Sequence, residues 1–191
     1  MNKLKNEIKA CVHCAGKLPL GPRPVVRISP ASRILIIGQA PGTKVHASGI
    51  PWDDRSGVEL RRWLGVNSEQ FYDESMFGIV PMGFCYPGRG KGGDLPPRPE
   101  CAPLWHSRIL SQMPEVELTL LIGSYAQSYY LGKTKEKTLT KTVYNYQQYL
   151  PQYFPLVHPS PRNLIWQKRN PWFEQMVVPA LQLKVSEVIN K

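Results

Sequence analysis

Residues Arg33-Ile34-Leu35-Ile36-Ile37-Gly38-Gln39-Ala40-Pro41-Gly42 (RILIIGQAPG) begin as an unbroken apolar, β-branched run and end in a glycine-bounded turn. Continuous apolarity, rather than alternation, is what a strand covered on both faces of a parallel sheet requires. Three further runs read the same way: Phe77–Phe84, Val116–Gly123 and Tyr153–His158. Helical patterns lie between them. Ser56 followed by Glu59 reads as a capping box opening Gly57–Leu64, which Gly65 closes. Pro99–Leu110 carries apolar residues at helical spacing, and Ser124–Leu131 ends at Gly132. Asn170 and Pro171 read as the N-cap and first turn of a C-terminal helix, kinked or broken at Pro179. Alternation of strand and helix predicts an α/β fold, a three-layer α/β/α sandwich around a small parallel sheet of about four strands.

Working outward, 191 residues match one ordinary domain, with the N-terminal segment 1–30 packed on it. A hydrophobic share of 42% supplies a real core, and a charged fraction of 20% argues against disorder. Prolines cluster in Leu18–Pro30, Pro81–Pro103 and Leu150–Pro161, where interleaved apolar residues indicate long ordered loops rather than linkers. The formal charge of +10 favours a polyanionic partner such as nucleic acid, although like-charge solubility explains many such chains equally well. No apolar run is long enough to span a membrane, and the basic start (MNKLKNEIKACVHC) is not followed by the apolar stretch of a secretory signal. A reducing cytoplasm is therefore expected, where the four cysteines are metal ligands or free thiols rather than disulfides.

Ligands of open parallel sheets bind beyond the carboxyl ends of the strands. That directs attention to Gly38-Gln39-Ala40-Pro41-Gly42 after the first run and to His158-Pro159-Ser160-Pro161-Arg162-Asn163 after the last. Gly38 and Gly42 let the backbone approach a planar ligand, and Pro41 stiffens the turn. The loop lacks the Lys and Ser or Thr of a phosphate-binding P-loop and the spacing of a dinucleotide fingerprint. His158 taken alone is more often a structural residue than a catalytic one; Arg162 and Asn163 suit either phosphate contact or solvent. The two loops together carry more than either does separately.

The G-x-A-P-G turn and the H-P-S segment resemble the two motifs of the uracil-DNA glycosylase superfamily. After Gly42 come six residues and then Gly49-Ile50-Pro51-Trp52-Asp53-Asp54-Arg55-Ser56-Gly57, similar to the stretch that continues the first motif in the iron–sulfur (family 4) branch. HPSPRN is closer to the second motif of the single-strand-selective branch. The cysteines agree with the family 4 frame: Cys11 and Cys14 form a C-x-x-C pair, and Cys85 and Cys101 bracket a proline- and glycine-rich loop. Four thiolates suit a 4Fe–4S cluster or a structural zinc, and spacing alone does not choose between them. The resemblance favours the cluster, pinning the N-terminal segment to that loop.

The resemblance implies a monomeric, monofunctional glycosylase acting on DNA that contains uracil or another deaminated base, as in base-excision repair. His158 would donate to the O2 of the departing base, and Gly38, Ala40, Pro41 and Gly42 would cradle it. Trp52 takes the place of the family's stacking Phe. Ser160, Pro161, Arg162 and Asn163 would grip phosphates or press into the duplex, with Arg89, Lys91 and Arg98 adding charge along the backbone path. No Lys nucleophile is evident near the motifs. The chain departs from family 4 in three places. Gln39, in the catalytic turn, stands where Glu is usual; His46 replaces an acidic residue, with itself, Asp53 or Asp54 as possible compensation; and Pro81 aligns with the Asn that reads the base edge. Those departures also motivate a non-catalytic damage-binding or iron–sulfur accessory protein on the same fold, or, more distantly, a zinc-stabilised nucleotide-binding domain.

Overall fold

A computed structural model describes all residues, Met1–Lys191. The chain forms nine α-helices and six strands. In order they are α1 (Asn2–Lys9), β1 (Ile34–Ile37), α2 (Thr43–Ser48), α3 (Arg55–Leu64), α4 (Ser68–Phe71), β2 (Phe77–Ile79), β3 (Arg89–Gly90), β4 (Gly93–Asp94), α5 (Cys101–Leu110), β5 (Leu118–Ile122), α6 (Ser124–Leu131), α7 (Leu139–Tyr144), β6 (Tyr153–Leu156), α8 (Leu164–Arg169) and α9 (Val178–Ile189). Four strands make one parallel sheet in the order β2-β1-β5-β6, and β3 and β4 form a separate antiparallel hairpin. No helix is long and apolar enough to cross a membrane.

The expected three layers follow from the period-two geometry of the strands. Ile34 and Ile36 pack on one face with Leu60, Trp63 and Leu64 of α3 and Leu181 and Val185 of α9. Leu35 and Ile37 pack on the other with Leu4 and Ile8 of α1, Trp105 and Ile109 of α5 and Ala126 of α6. Both faces are covered, which is why β1 reads as a solid apolar run. Register is parallel throughout: Ile34 opposes Phe77 on one side and Leu118 on the other. Pro155 is accommodated because β6 is an edge strand, bonded to β5 alone.

Strand ends differ a little from the sequence expectation, and hydrogen bonding explains the second. β2 ends at Ile79, but its ladder with β1 continues: Val80 N donates to Ile36 O, Met82 N to Gly38 O and Gly83 N to Gln39 O, all at 2.9 Å. The carbonyls of the first turn are thus consumed by the chain alongside it. The capping box expected at Ser56 is not formed. Asp54, in extended conformation, caps α3 by accepting from Gly57 N at 2.8 Å, while Glu59 bonds Arg62 and Trp63. A true capping box occurs instead at Asn67 and Gln70, heading the short α4.

α5 begins at Cys101 rather than at Pro99. Asn170 does not cap through its side chain; its amide bonds Trp166 O and accepts from Trp172 Nε1. Phe173–Val177 form a π-helical turn in which Val178 N reaches back to Phe173 O. Pro179, which has no N–H, then falls in the first turn of α9, where none is required. The helices α1, α2, α4, α7 and α8 carry no signal singled out in the sequence; α2, α4, α7 and α8 are each six residues or fewer.

One buried polar contact bears on the sheet edge. His106 of α5 is 1% exposed. Its Nε2 donates to Pro81 O at 3.1 Å, since a carbonyl only accepts, so Nδ1 accepts from Tyr130 Oη at 2.6 Å. Burial lowers the His106 pKa to about 4. The unfolded chain therefore takes up a proton near pH 6.5 that the native state refuses until about pH 4. Thermal midpoints are expected to fall as pH drops through that window and to level off below it. In His106→Gln, which retains a donor for Pro81, the slope flattens.

Candidate active site

The parallel register brings the ends of β1 and β6 to one edge of the sheet, separated by β5. A cleft of about 660 Å³ opens there. Gln39, Ala40 and Gly42 form one wall, and His158, Ser160, Pro161, Arg162 and Asn163 form the facing one. Asp54, Arg55 and Ser56 at the head of α3, Lys44 of α2, and Gly92–Asp94 of the hairpin complete it. A smaller apolar cavity of about 50 Å³, room for a few waters, lies deeper, between Gly38, Pro41, Trp52, Pro81 and His158. Both segments singled out in the sequence thus meet at the same place.

Trp52 sits where these parts join. Its φ of 59° is unusual for a bulky residue and turns the chain sharply into α3. Two glycines make this possible. A Cβ on Gly38 would lie 2.9 Å from Trp52 Cζ2, and a Cβ on Gly57 would lie 1.7 Å from the Trp52 carbonyl oxygen. Tyr72 Oη donates to Pro51 O at 3.0 Å and holds the segment from behind. The indole then faces the imidazole of His158, with ring centroids 5.5 Å apart and planes at 32°.

His158 is partly exposed to the cleft. Shielding of the ring lowers its pKa, against the opposing pull of the Asp54 and Asp94 carboxylates. At neutral pH the ring is therefore a neutral donor rather than a cation. Asn163 braces it: its Nδ2 donates to the His158 carbonyl at 2.7 Å. Ser160 Oγ accepts from Arg162 N at 3.3 Å and shapes the same loop.

Other side chains are placed as follows. Gln39 Nε2 donates to Leu95 O at 3.4 Å, tying the turn to the strap after the hairpin. Arg162 reaches across the cleft mouth, its Nη1 2.3 Å from where a Cβ of Gly93 would stand. Of the possible replacements for the missing carboxylate, Asp54 lines the cleft, whereas Asp53 and His46 do not; the His46 ring centroid lies 6.1 Å from that of Tyr86. Asp94 is a second carboxylate in the cleft, and Lys44 is an exposed amine on its wall. Sequence reading passed over both, because Asp94 lies in a glycine-rich hairpin and Lys44 in the first turn of a six-residue helix. Arg89, Lys91 and Arg98 do not line this cleft.

The cysteines converge elsewhere. Cys11, Cys14, Cys85 and Cys101 line one cavity of about 20 Å³ with Phe84, Trp105 and Arg98. Phe84 N donates to Cys101 Sγ at 3.4 Å. Burial raises the thiol pKa of Cys14 and Cys85 and pushes Cys101 up to about 12. No three His, Cys, Asp or Glu side chains are disposed to hold a single metal ion.

The contact between Gly57 and Trp52 yields a direct test. Gly57→Ala drives a methyl into a backbone oxygen that has no rotamer by which to escape. Urea denaturation is expected to show a loss of roughly 2–4 kcal/mol, whereas Val58→Ala, next door and exposed, stays within about 0.5 kcal/mol.

The turn after β1, the aromatic facing it and the histidine after β6 share an arrangement that extends beyond any single motif. Consistent with this, the family model described as the uracil DNA glycosylase superfamily matches residues 26–182, and the chain belongs to that superfamily.

Proposed function

We propose that the protein is a monofunctional DNA glycosylase that hydrolyses the N-glycosidic bond of uracil or another deaminated base. The observation that carries this reading is the meeting of a neutral His158 with the Gly38–Gly42 turn and Trp52 around one small cavity beside the cleft. A target base must leave the stack to react. At the small cavity its face would meet the Trp52 indole, and its edge the backbone that Pro41 and the β2 ladder hold rigid. Negative charge gathers on the departing base, and the N–H of the neutral His158 ring donates to it. Positive charge gathers on the sugar, and the carboxylates of Asp54 and Asp94 favour it. The base leaves with the bonding pair; water then adds to the sugar carbon and gives up one proton, and the base anion takes up one in its place. Gln39 provides no carboxylate, so this reading assigns the anionic role to Asp54 and Asp94.

Lys44, Arg55 and Arg162 around the mouth supply charge for phosphates. Asn163 acts by bracing His158 rather than by standing free for DNA. For the thiol cavity we propose a 4Fe–4S cluster. The support is the chemistry of the donor set: four thiols, the soft ligands such a cluster takes, line one cavity with a backbone N–H directed at Cys101 Sγ, and binding would remove the protons that burial favours. When bound, such a group cross-links the N-terminal segment to the loop between Cys85 and Cys101. Gln39 and Pro81 support a second reading, a non-catalytic binder of damaged DNA, because neither has the side chain that family 4 uses at the base.

The deciding experiment incubates anaerobically purified protein with uracil-, hypoxanthine- and xanthine-containing oligonucleotides, followed by alkaline cleavage of abasic sites. Product with at least one lesion, lost by 10²-fold or more in His158→Ala, is expected. Tight binding without release in every case overturns catalysis in favour of the second reading. Borohydride is expected to trap no adduct; a trapped adduct that vanishes in Lys44→Ala would contradict the monofunctional assignment. Iron and sulfide analysis is expected to return a brown protein, and a colourless zinc protein refutes the cluster.

The pH profile follows from the His158 environment. Activity is expected to persist below pH 6.5, the ordinary imidazole value, and to fall only as pH drops through the lowered one. Asp54→Asn, which keeps the helix cap, removes an anion that raises the His158 pKa. Its acid limb should therefore move to still lower pH.

A further inference from the structure

A second groove lies on the same edge of the sheet, beside the cleft and outside the machinery described above. It holds about 460 Å³ and is lined by Met82, Pro96, Pro97, Arg98, Tyr125 and Tyr129, among others. Its floor is apolar, unlike the polar cleft. Tyr125 and Tyr129 stand one helical turn apart on α6 and remain 40% and 47% exposed. Tyr129 is steadied by Tyr130, the ring centroids being 5.2 Å apart at 64°. Proline rings face them from the strap that follows the hairpin.

The groove continues the cleft. Asp94 lines the cleft, Leu95 O accepts from Gln39, and Pro96 and Pro97 line the groove. Only Leu95 and Pro96 separate Asp94 from Pro97, at most about 11 Å of chain. Lys135 supplies a cation at the rim, its Nζ bonded to Ser128 Oγ, which also lines the groove; Arg98 lies in the wall, paired with Glu100 at 2.7 Å. Flat apolar faces with cations at the rim are what unstacked bases of a single strand require, and paired bases keep their faces buried in the helix. The chain's charge of +10 favours the same occupant over an apolar peptide.

We propose that this groove holds an unpaired nucleobase flanking the lesion, so that the enzyme acts on single-stranded or locally opened DNA. The proposal rests on the glycosylase reading for its setting, but the test does not. Fluorescence anisotropy at one fixed salt concentration compares undamaged single-stranded and duplex oligonucleotides of the same sequence, so no base release is involved. Single strands are expected to bind the tighter. Tyr125→Ala and Tyr129→Ala should each weaken single-strand binding roughly ten-fold and leave duplex binding unchanged, while the Phe variants retain it, because stacking needs the ring and not the hydroxyl. Circular dichroism confirms that each variant folds. Unchanged single-strand affinity in both Ala variants overturns the proposal and leaves the groove to a protein partner; an equal loss on duplex overturns it as well. Failure of base release in the unmodified protein, with these binding results intact, would remove the glycosylase reading alone.

Discussion

An indole held in a left-handed backbone conformation is the constraint on which the site depends. Trp52 can adopt it only because Gly38 and Gly57 offer hydrogen atoms where any other residue would place carbon. The contact joins three elements that are distant in sequence: the turn after β1, the entry to α3 and, through the facing ring, the loop after β6. For the proposed reaction such rigidity has a use, since donors fixed beforehand need no reorganisation during it.

Charge in the cleft is mixed. Lys44, Arg55 and Arg162 line it together with Asp54 and Asp94, and the pull of those two carboxylates on the His158 imidazole opposes the effect of burial. A neutral ring between two anions can donate to a developing negative charge while the anions favour a developing positive one. The same residues serve the fold: Asp54 caps α3, so its carboxylate is oriented by the bond it makes to Gly57 N.

Much of this was legible in the sequence. Solid apolar runs require a doubly covered sheet, and a parallel sheet delivers the loops after its strands to one edge; the fold and the meeting of Gly38–Gly42 with His158 follow from those two facts. What the sequence concealed has physical causes as well. Asp54 rather than Ser56 caps α3, because the sharp turn at Trp52 carries the chain into the helix two residues earlier than the Ser-x-x-Glu pattern suggests. Short helices such as α2, α4 and α8 hold too few residues to show a period. Lys44 and Asp94 reach the cleft through tertiary packing that no local pattern encodes, and Arg162 closes on Gly93 across a gap in sequence that spacing does not measure.

The ten residues of α3 form a strut of about 15 Å. One end bears Asp54; at the other, Arg62 is clasped by Glu59 and Glu174, and its carbonyl accepts from Gln182 of α9. The final segment of the chain is therefore a foundation for the cleft, although it never touches it. A truncation or fusion that loosens α9 acts at a distance, by letting the near end of the strut drift and the carboxylate it carries lose its aim.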